Sequence, residues 1–488
     1  MRGGWRPKSP PAFRFPQGYC RYPCFIRVVC IVEPKVNVMS QNWTCGIFTG
    51  TTLGLVLWTG CSKPQPAVAP AATPTAPSAA AATPAATTPV AAQPAAPAPQ
   101  ATAKADDVKA ARARLDAVAK ATYAPKTGDL LTEIVVPDCS PLTADDVALL
   151  GKLTDLKKLQ LVNFRALNDE MAAQLKGLTE LTSLSLTNSV INNATAEMIV
   201  QSFPKLVELD LSSNTNMTNG VMKILAGQPK LQRLTLVQNQ VNDVGAQQIK
   251  KFQELRVIDL RGNMEAGDMA LEVVAALPKL TAFKHRSTAV SDSGLEYLSA
   301  NATLDSLLIQ DFNITDQSGP HLAKLPKLTQ LEVFRCQGFG SQGLLALKGK
   351  GLTRLTLRDL PNVYDEGLQV LAELPALKRL FLHELPSVTD AGLSHLAKVT
   401  TLEQLDIWAV PQMTDATIDV IATLPNLKTL SIRGAGITDA SIDKILALKS
   451  VQSLTFKDNG SVSEEAKKKL STKAWKTLDL GGSATTEE

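Results

Sequence analysis

The chain has 488 residues and a formal net charge of +4 at pH 7. Residues 1–38 hold seven basic side chains against one acidic one, a net +6, so the rest of the chain carries −2. The net basicity is therefore no argument for nucleic-acid binding, and we expect no nucleic-acid partner.

The first 38 residues are rich in arginine, proline, cysteine and aromatic residues and show neither helical nor strand periodicity. We predict that residues 1–38 form a disordered basic N-terminus. Met39 follows directly and opens a segment that is typical of a secretion signal. We therefore expect that translation starts at Met39 and that Met1 is an over-extended start. The alternative is a genuine basic cytoplasmic tail.

Residues 39–61 contain an uncharged, mostly apolar run at 45–60, shorter than a comfortable bilayer span but typical of a signal peptide. The run ends in the letters LWTGC, which resemble a bacterial lipobox. The resemblance implies a diacylglyceryl group on Cys61, export and a membrane anchor. Two features depart from the pattern: Trp58 stands where leucine is preferred, and a start at Met39 leaves no Lys or Arg before the run. Plain secretion and an uncleaved anchor are the alternatives.

Residues 62–104 consist almost entirely of Ala, Pro, Thr and Gln, which cannot bury a core, so we predict a disordered linker. At about 3.1 Å per residue this segment could reach ~130 Å and tether a domain to a membrane. Residues 105–122 follow with a stripe of apolar side chains at helical spacing and acidic residues at the start. We predict that 105–130 form an N-terminal cap, with a helix covering the first repeat.

Between residues 131 and 480 the triplet Leu-x-x-Leu-x-Leu, with variants, returns fifteen times at a spacing of 24 or 25 residues. The unit at 377–402 shows the pattern: alternation of apolar residues gives way to apolar spacings of three to four. This predicts a short strand followed by a returning helix. Signatures such as VTDAGLSHL recur between the triplets, and we expect the Asp or its Ser, Thr or Asn neighbour to cap each helix. Residues 481–488 are predicted to be a disordered tail.

These repeats resemble the leucine-rich-repeat superfamily, and their helices are similar to those of its cysteine-containing and ribonuclease-inhibitor-like classes. The resemblance implies an α/β solenoid, a right-handed horseshoe of about fifteen coils with a parallel concave sheet and convex helices. The family places an inward-facing Asn or Cys three residues after the last strand leucine. Asn or Cys stands there at Asn214, Asn239, Asn263, Cys336 and Asn459, whereas Phe312, Leu360, Leu385, Val410 and Ala435 stand there in other coils, so we expect an interrupted polar ladder.

The sequence contains no H-E-x-x-H, C-x-x-C, G-x-S-x-G or P-loop motif. His285 replaces a strand leucine, and we expect it to be buried and hydrogen-bonded to a neighbour rather than to bind a ligand. Aspartates that recur at helix starts are better explained by capping than by calcium binding. Cys139 and Cys336 lie eight coils apart, too far for a disulfide. We expect no catalytic site, metal, cofactor or small-molecule substrate.

The exposed positions of the strands all face the concave side, because side chains alternate along a strand. These positions are small and polar in coils one to four but cationic and aromatic in coils five to thirteen. Trp, Phe and Arg are enriched where binding energy concentrates. We predict that a protein partner binds a strip formed by Arg261, Arg286, Phe334, Arg358, Phe381, His383, Trp408 and Arg433. The alternative is a solvated sheet face with a few stray aromatic residues.

We therefore expect a non-enzymatic binding or scaffolding protein that is exported, anchored in the membrane at the cell envelope, and has its solenoid outside the cytoplasm. One alternative, the substrate-recognition arm of an F-box ubiquitin ligase, needs an F-box bundle that segment 62–104 does not provide. A second is a structural spacer of the envelope without a specific ligand. A third, a ubiquitin ligase linked to leucine-rich repeats, needs a catalytic domain after the repeats.

Overall fold

The computed structural model describes residues 100–481. The predicted basic N-terminus, the signal or lipobox segment with Cys61, most of the linker and nearly all of the tail lie outside the described residues. Among the residues described, no helix is both long enough and apolar enough to cross a bilayer.

Sixteen strands form one sheet and follow each other in sequence order. All but the first of them, fifteen strands, run parallel and pair at equivalent positions of the repeat, as in Leu355, Leu380 and Leu405. One strand per triplet confirms the predicted α/β solenoid with a parallel sheet. In chain order, strands β1 to β16 are Thr122–Ala124, Glu133–Val136, Lys158–Leu161, Ser183–Leu186, Glu208–Asp210, Arg233–Thr235, Val257–Asp259, Ala282–Arg286, Ser306–Gln310, Gln330–Phe334, Arg354–Arg358, Arg379–His383, Gln404–Trp408, Thr429–Arg433, Ser453–Lys457 and Thr477–Asp479.

Each coil continues from its strand into one or two short helical segments. The α-helices α1 to α14 are Gln100–Asp116, Ala144–Gly151, Asp169–Ala173, Asn193–Ser202, Gly220–Leu225, Asp243–Ala246, Asp268–Ala275, Asp292–Leu298, Ser318–Lys324, Ser341–Leu345, Asp390–Leu393, Asp415–Ile421, Ile442–Leu446 and Glu464–Leu470. Five 3₁₀ helices complete the layer at Gln174–Gly177, Gln247–Lys251, Gly367–Glu373, Ser394–Lys398 and Asp439–Ser441.

The N-terminal cap, predicted at 105–130, contains a strand as well as a helix. Helix α1 already begins at Gln100 and ends at Asp116, and β1 pairs antiparallel with β2, so the sheet has one strand that the repeat did not predict. The guanidinium of Arg112 donates to the carbonyl oxygens of Pro125, Lys126, Thr127 and Leu130 at 2.7–3.3 Å. These contacts hold the loop after β1 against the helix, so helix and strand together cover coil one.

The helix starts are capped by the residue before the recurring aspartate. Thr389, for example, accepts from the N–H of Ala391, and Thr414 accepts from that of Ala416. The aspartate itself bonds to the following coil: Asp390 accepts from the N–H and hydroxyl of Thr414. Of the two capping residues allowed by the sequence, the Ser, Thr or Asn neighbour therefore caps its own helix, and the aspartate links coils.

The core is one continuous cluster made by the triplet side chains and the apolar side of the helices. Part of it is polar: Asn214 donates to the carbonyls of Leu186 and Leu211, both at 2.8 Å. His285 is buried with its two ring nitrogens 3.1 Å and 2.8 Å from backbone carbonyl oxygens, and the neutral ring donates to one of them, as expected for a buried residue that is hydrogen-bonded to a neighbour. Cys139 and Cys336 are free thiols, and burial raises the pKa of each to about 12.

Candidate functional site

The face of the sheet that is turned away from the core, here called the strand face, carries the predicted strip in ordered columns. The outer column consists of the positions that directly follow the last residue of each triplet. It contains five residues that are direct partners in five successive parallel strands: Phe334, Arg358, His383, Trp408 and Arg433. Each side chain is partly exposed. The pairing register thus brings together residues that are 24 or 25 positions apart in the sequence, as the alternation predicted.

Phe381 lies in the inner column, which consists of the positions two residues before the outer column on the same strands. Its partners there are Thr356 and Asp406 of the adjacent strands. Its ring is 6.1 Å from that of His383, which in turn is 5.7 Å from that of Trp408, and both pairs are edge-to-face. Such contacts are favoured by the quadrupoles of the rings. Phe381, His383 and Trp408 therefore form one aromatic cluster across coils eleven and twelve.

The two remaining predicted residues lie apart from this cluster. Arg286 occupies the outer column two strands before Phe334, with Gln310 between them. Arg261 follows the end of β7 and pairs with Asp259 of the inner column at 2.8 Å. The eight predicted residues thus fall into an arginine pair and a group of six, and only the group of six is contiguous with the aromatic cluster.

Three guanidinium groups lie over the aromatic cluster. Those of Arg358 and Arg433 are 4.9 Å and 5.3 Å from the centre of the Trp408 ring, and that of Arg354 is 4.8 Å from the centre of Phe381. A cation over a ring at this distance is attracted by the negative face of the π system. Arg354 was missed from the sequence, although its spacing of four from Arg358 on one strand puts both on the same face.

Carboxylates hold these arginines in place. Asp406 accepts from Arg433 through both oxygens at 3.1 Å, and Glu384 accepts from Arg358 at 3.2–3.3 Å. Burial would raise the pKa of Asp406, but its contacts with His383 and Arg433 outweigh this effect and lower the pKa. These bonds fix each guanidinium in the position that covers Trp408.

The strip is consequently not the cationic surface that its arginines suggested. Arg286 and Arg335 share Asp311, at 2.5 Å and 2.7 Å. With the partners of Arg261, Arg358 and Arg433 this leaves every predicted arginine in an ion pair. The sequence contained a signal for two of these acids: Asp311 and Glu384 each follow the outer-column residue directly. They were missed because alternation assigns that position to the core side.

Some polar atoms of this face have no hydrogen-bond partner. Within residues 100–481 seven buried side-chain atoms make no hydrogen bond to a protein atom, and four of them lie here: Arg354 Nε, Thr356 Oγ1, Arg433 Nε and His383 Nε2, the last of which stands 3.5 Å from Asp406 Oδ2. An unpaired buried polar group costs about 1–3 kcal/mol. Native proteins have few such groups, and four of the seven lie within coils ten to thirteen.

No group of three or more His, Cys, Asp or Glu side chains is arranged to hold a metal in the part of the chain that the structure covers. The aspartates at the helix starts are engaged by the adjacent coil, as Asp390 is by Thr414. The expected absence of catalytic chemistry stays a prediction.

The sequence matches no protein-family model and no curated protein. Among solved structures, an internalin from Listeria monocytogenes is 17% identical, with coverage of 79% of this chain and 97% of that one and a TM-score of 0.45. Rad7 in the yeast Rad7–Elc1 complex is 17% identical over 80% and 92%, with a TM-score of 0.48. A leucine-rich-repeat protein of Leptospira interrogans is 19% identical over 67% and 84%, with a TM-score of 0.40.

The fold is a leucine-rich-repeat solenoid. The likeness to these structures concerns the fold alone. The chain's own repeat establishes it independently, with fifteen parallel strands in register and a helical layer joined to them by one core. In this leucine-rich-repeat fold the aromatic cluster lies on the strand face of coils eleven and twelve, within a group of six predicted residues that spans coils nine to thirteen.

Proposed function

We propose that this chain is a non-enzymatic protein-binding module whose leucine-rich-repeat solenoid holds a partner on the strand face of coils nine to thirteen. The observation that carries the proposal is Trp408, a partly exposed indole held between the guanidinium groups of Arg358 and Arg433. Trp and Arg dominate the energetic centres of protein interfaces, where a rigid aromatic group is surrounded by contacts that exclude water.

The rigidity of the cluster also favours binding. The carboxylates of Asp406 and Glu384 fix the two arginines, and parallel strands fix the backbone beneath them. A partner that binds a preorganised surface loses less side-chain entropy on association.

We further propose the cellular context and the repeat class that the sequence predicted. The lipobox-like end at Cys61 favours an exported lipoprotein anchored at the cell envelope, with residues 62–104 as the tether. The recurring Asp-x-Gly helix starts favour the cysteine-containing and ribonuclease-inhibitor-like repeat classes. One alternative, the recognition arm of an F-box ligase, needs an F-box bundle that segment 62–104 does not provide. The other, an envelope spacer without a specific ligand, would not require the aromatic cluster on the strand face.

Affinity capture tests the binding function. The full chain and the double variant Phe381→Ala/Trp408→Ala are used as baits in envelope extract, with Tyr297→Ala/Tyr364→Ala as control. The control removes two aromatic rings that are 46% and 45% exposed and lie outside the strip. We expect a partner that the wild type and control retain and the double variant loses. Equal retention by all three baits would contradict the proposal.

The anchor has a separate test. Mass spectrometry of the mature N-terminus should find a diacylated Cys61. An intact Met1 would contradict export, lipidation and the proposed start together, without bearing on the strand face.

A further inference from the structure

The residue after each outer-column position adopts a left-handed backbone conformation in most coils. Four consecutive members, here called the rim row, are Asp359, Glu384, Ala409 and Gly434, with φ of 51–62°. Their N–H groups donate to the carbonyls of His383, Trp408, Arg433 and Lys457 in the next coil. The row is thereby fixed at the carboxyl ends of the strands, directly beside the aromatic cluster.

The side chains shrink along the rim row from two carboxylates to a methyl group and a hydrogen atom. Pro386 and Pro411 stand two residues beyond Glu384 and Ala409. Together these residues enclose an open cleft of about 460 Å³, here called the rim cleft. Its walls are apolar at the prolines and alanine and acidic at one end.

The two acids at that end differ. Glu384 is held by Arg358, whereas Asp359 forms neither an ion pair nor a side-chain hydrogen bond in residues 100–481. Arg335, the cation on the preceding coil, is engaged by Asp311 at 2.7 Å. The Asp359 carboxylate is therefore the acid of the rim cleft that no side chain in residues 100–481 engages by a hydrogen bond, although the Arg335 guanidinium attracts it at longer range.

We propose that the rim cleft receives a Lys or Arg side chain of the protein partner. The apolar walls formed by Pro386, Ala409 and Pro411 suit the methylene stem of such a side chain. The carboxylate of Asp359, supported by Glu384, suits its charged head. The inference rests on the proposed binding function and names the chemistry that the partner presents next to Trp408.

The cleft favours a residue of a protein over a free small amine because it opens onto the strand face. Asp359, Glu384 and Ala409 each directly follow an outer-column residue, and Ala409 follows Trp408, so a chain that contacts Trp408 can also reach the cleft. A free amine would gain the carboxylate but none of the aromatic contacts.

Selection from a random peptide library, displayed on phage and panned against the full chain, tests this inference. We expect the selected peptides to share a Lys or Arg at a fixed distance from an apolar residue. Replacing that basic residue by norleucine in a synthetic copy of the best peptide should weaken binding by about two- to fivefold at low salt, the range of a partly exposed ion pair.

The matched variants are Asp359→Asn and Asp458→Asn. Both residues occupy the same left-handed position of their coils, at φ 51° and 57°, which asparagine tolerates well, and Asp458 lies outside the cleft. Asp359→Asn should lose the preference for the basic peptide of about two- to fivefold, whereas Asp458→Asn should keep it. Equal preference in both variants would overturn the inference.

Trp408→Ala separates the two proposals. Peptides without a basic residue that still require Trp408 would overturn the rim cleft and leave the proposed binding surface standing. A preference for basic peptides that requires Asp359 but not Trp408 would support the rim cleft and contradict the proposed binding surface at Trp408. Failure of the wild-type chain to enrich any peptide would contradict both.

Discussion

The carboxylate of Asp390 accepts hydrogen bonds from the backbone N–H and the hydroxyl of Thr414, at 2.9 Å and 2.6 Å, one coil further along the solenoid. Thr414 is at the same time the N-cap of its own helix. The same contact recurs between Asp268 and Ser291, Asp292 and Thr315, Asp365 and Thr389, Asp415 and Thr438, and Asp439 and Ser463. Each coil therefore fixes the helix start of the next.

Removal of one such link should destabilise the solenoid measurably. Asp390→Ala leaves the N–H and hydroxyl of Thr414 without their acceptor, and we expect a loss of about 1–3 kcal/mol in the free energy of unfolding, the range for a charged hydrogen bond. Urea unfolding followed by circular dichroism measures it. The control is Asp419→Ala, which removes an exposed ion pair with Lys444 and should change stability by less than about 0.5 kcal/mol. A similar loss in both variants would contradict the account.

The links also predict acid sensitivity. Burial would raise the pKa of Asp292, Asp390 and Asp415, but hydrogen bonds from the next coil outweigh it and hold each pKa below its usual value. A carboxyl whose pKa is lower when folded stabilises the fold above its unfolded pKa of about 3.9, and this stability is lost as pH falls through the folded value. We expect stability to drop steeply below about pH 4, and less steeply in Asp390→Ala. If the free energy of unfolding falls equally steeply with pH in the wild type and in Asp390→Ala, the link at Asp390 does not contribute to the acid sensitivity.

Gly392, in the helix-start motif of its coil, leaves room for Asp365 of the preceding coil. A Cβ atom on Gly392 would lie 2.5 Å from Asp365 Oδ1 and 2.9 Å from its Cα. Although alanine normally stabilises a helix relative to glycine, Gly392→Ala should destabilise by about 1–3 kcal/mol through overpacking. Gly351→Ala, where a Cβ would meet no atom within 4 Å, should be neutral in the same thermal unfolding measurement. A stabilised Gly392→Ala protein would rule out the packing role.

His285 should impose a second pH dependence at higher pH. Burial lowers its pKa below 6.5, although backbone carbonyls of Ala266 and Leu260 act in the opposite direction. The folded state thus prefers the neutral ring, so stability falls as pH drops below about 6.5, where the unfolded chain binds the proton. His285→Leu, which restores the residue of the repeat, should remove this slope between pH 7 and 5 in urea unfolding. An unchanged slope would show that other groups cause it.

The repeat predicted the strands well because burial enforces its period. The triplets at Leu352, Leu377 and Leu402 each open a coil whose strand pairs with the next in register. The antiparallel β1 escaped prediction because three residues carry no recognisable period, and its loop is held by Arg112 on a different element.

The candidate site was predicted in part for the same reason. Alternation along the strands located the outer column with Trp408, since this depends on one strand at a time. The ion pair of Arg358 with Glu384 joins different coils and depends on the stacking of left-handed positions, which no single repeat specifies. The charge balance of the strip could therefore be seen only in the assembled solenoid.

Photo-crosslinking in the native cell tests the central claim most directly. A benzoylphenylalanine is placed at Phe381, inside the aromatic cluster, or at Tyr297, an exposed aromatic position on helix α8. We predict a specific protein adduct from position 381 and none from position 297. Adducts from position 297 alone, or no adduct from position 381 in any growth condition, would contradict a binding surface on the strand face.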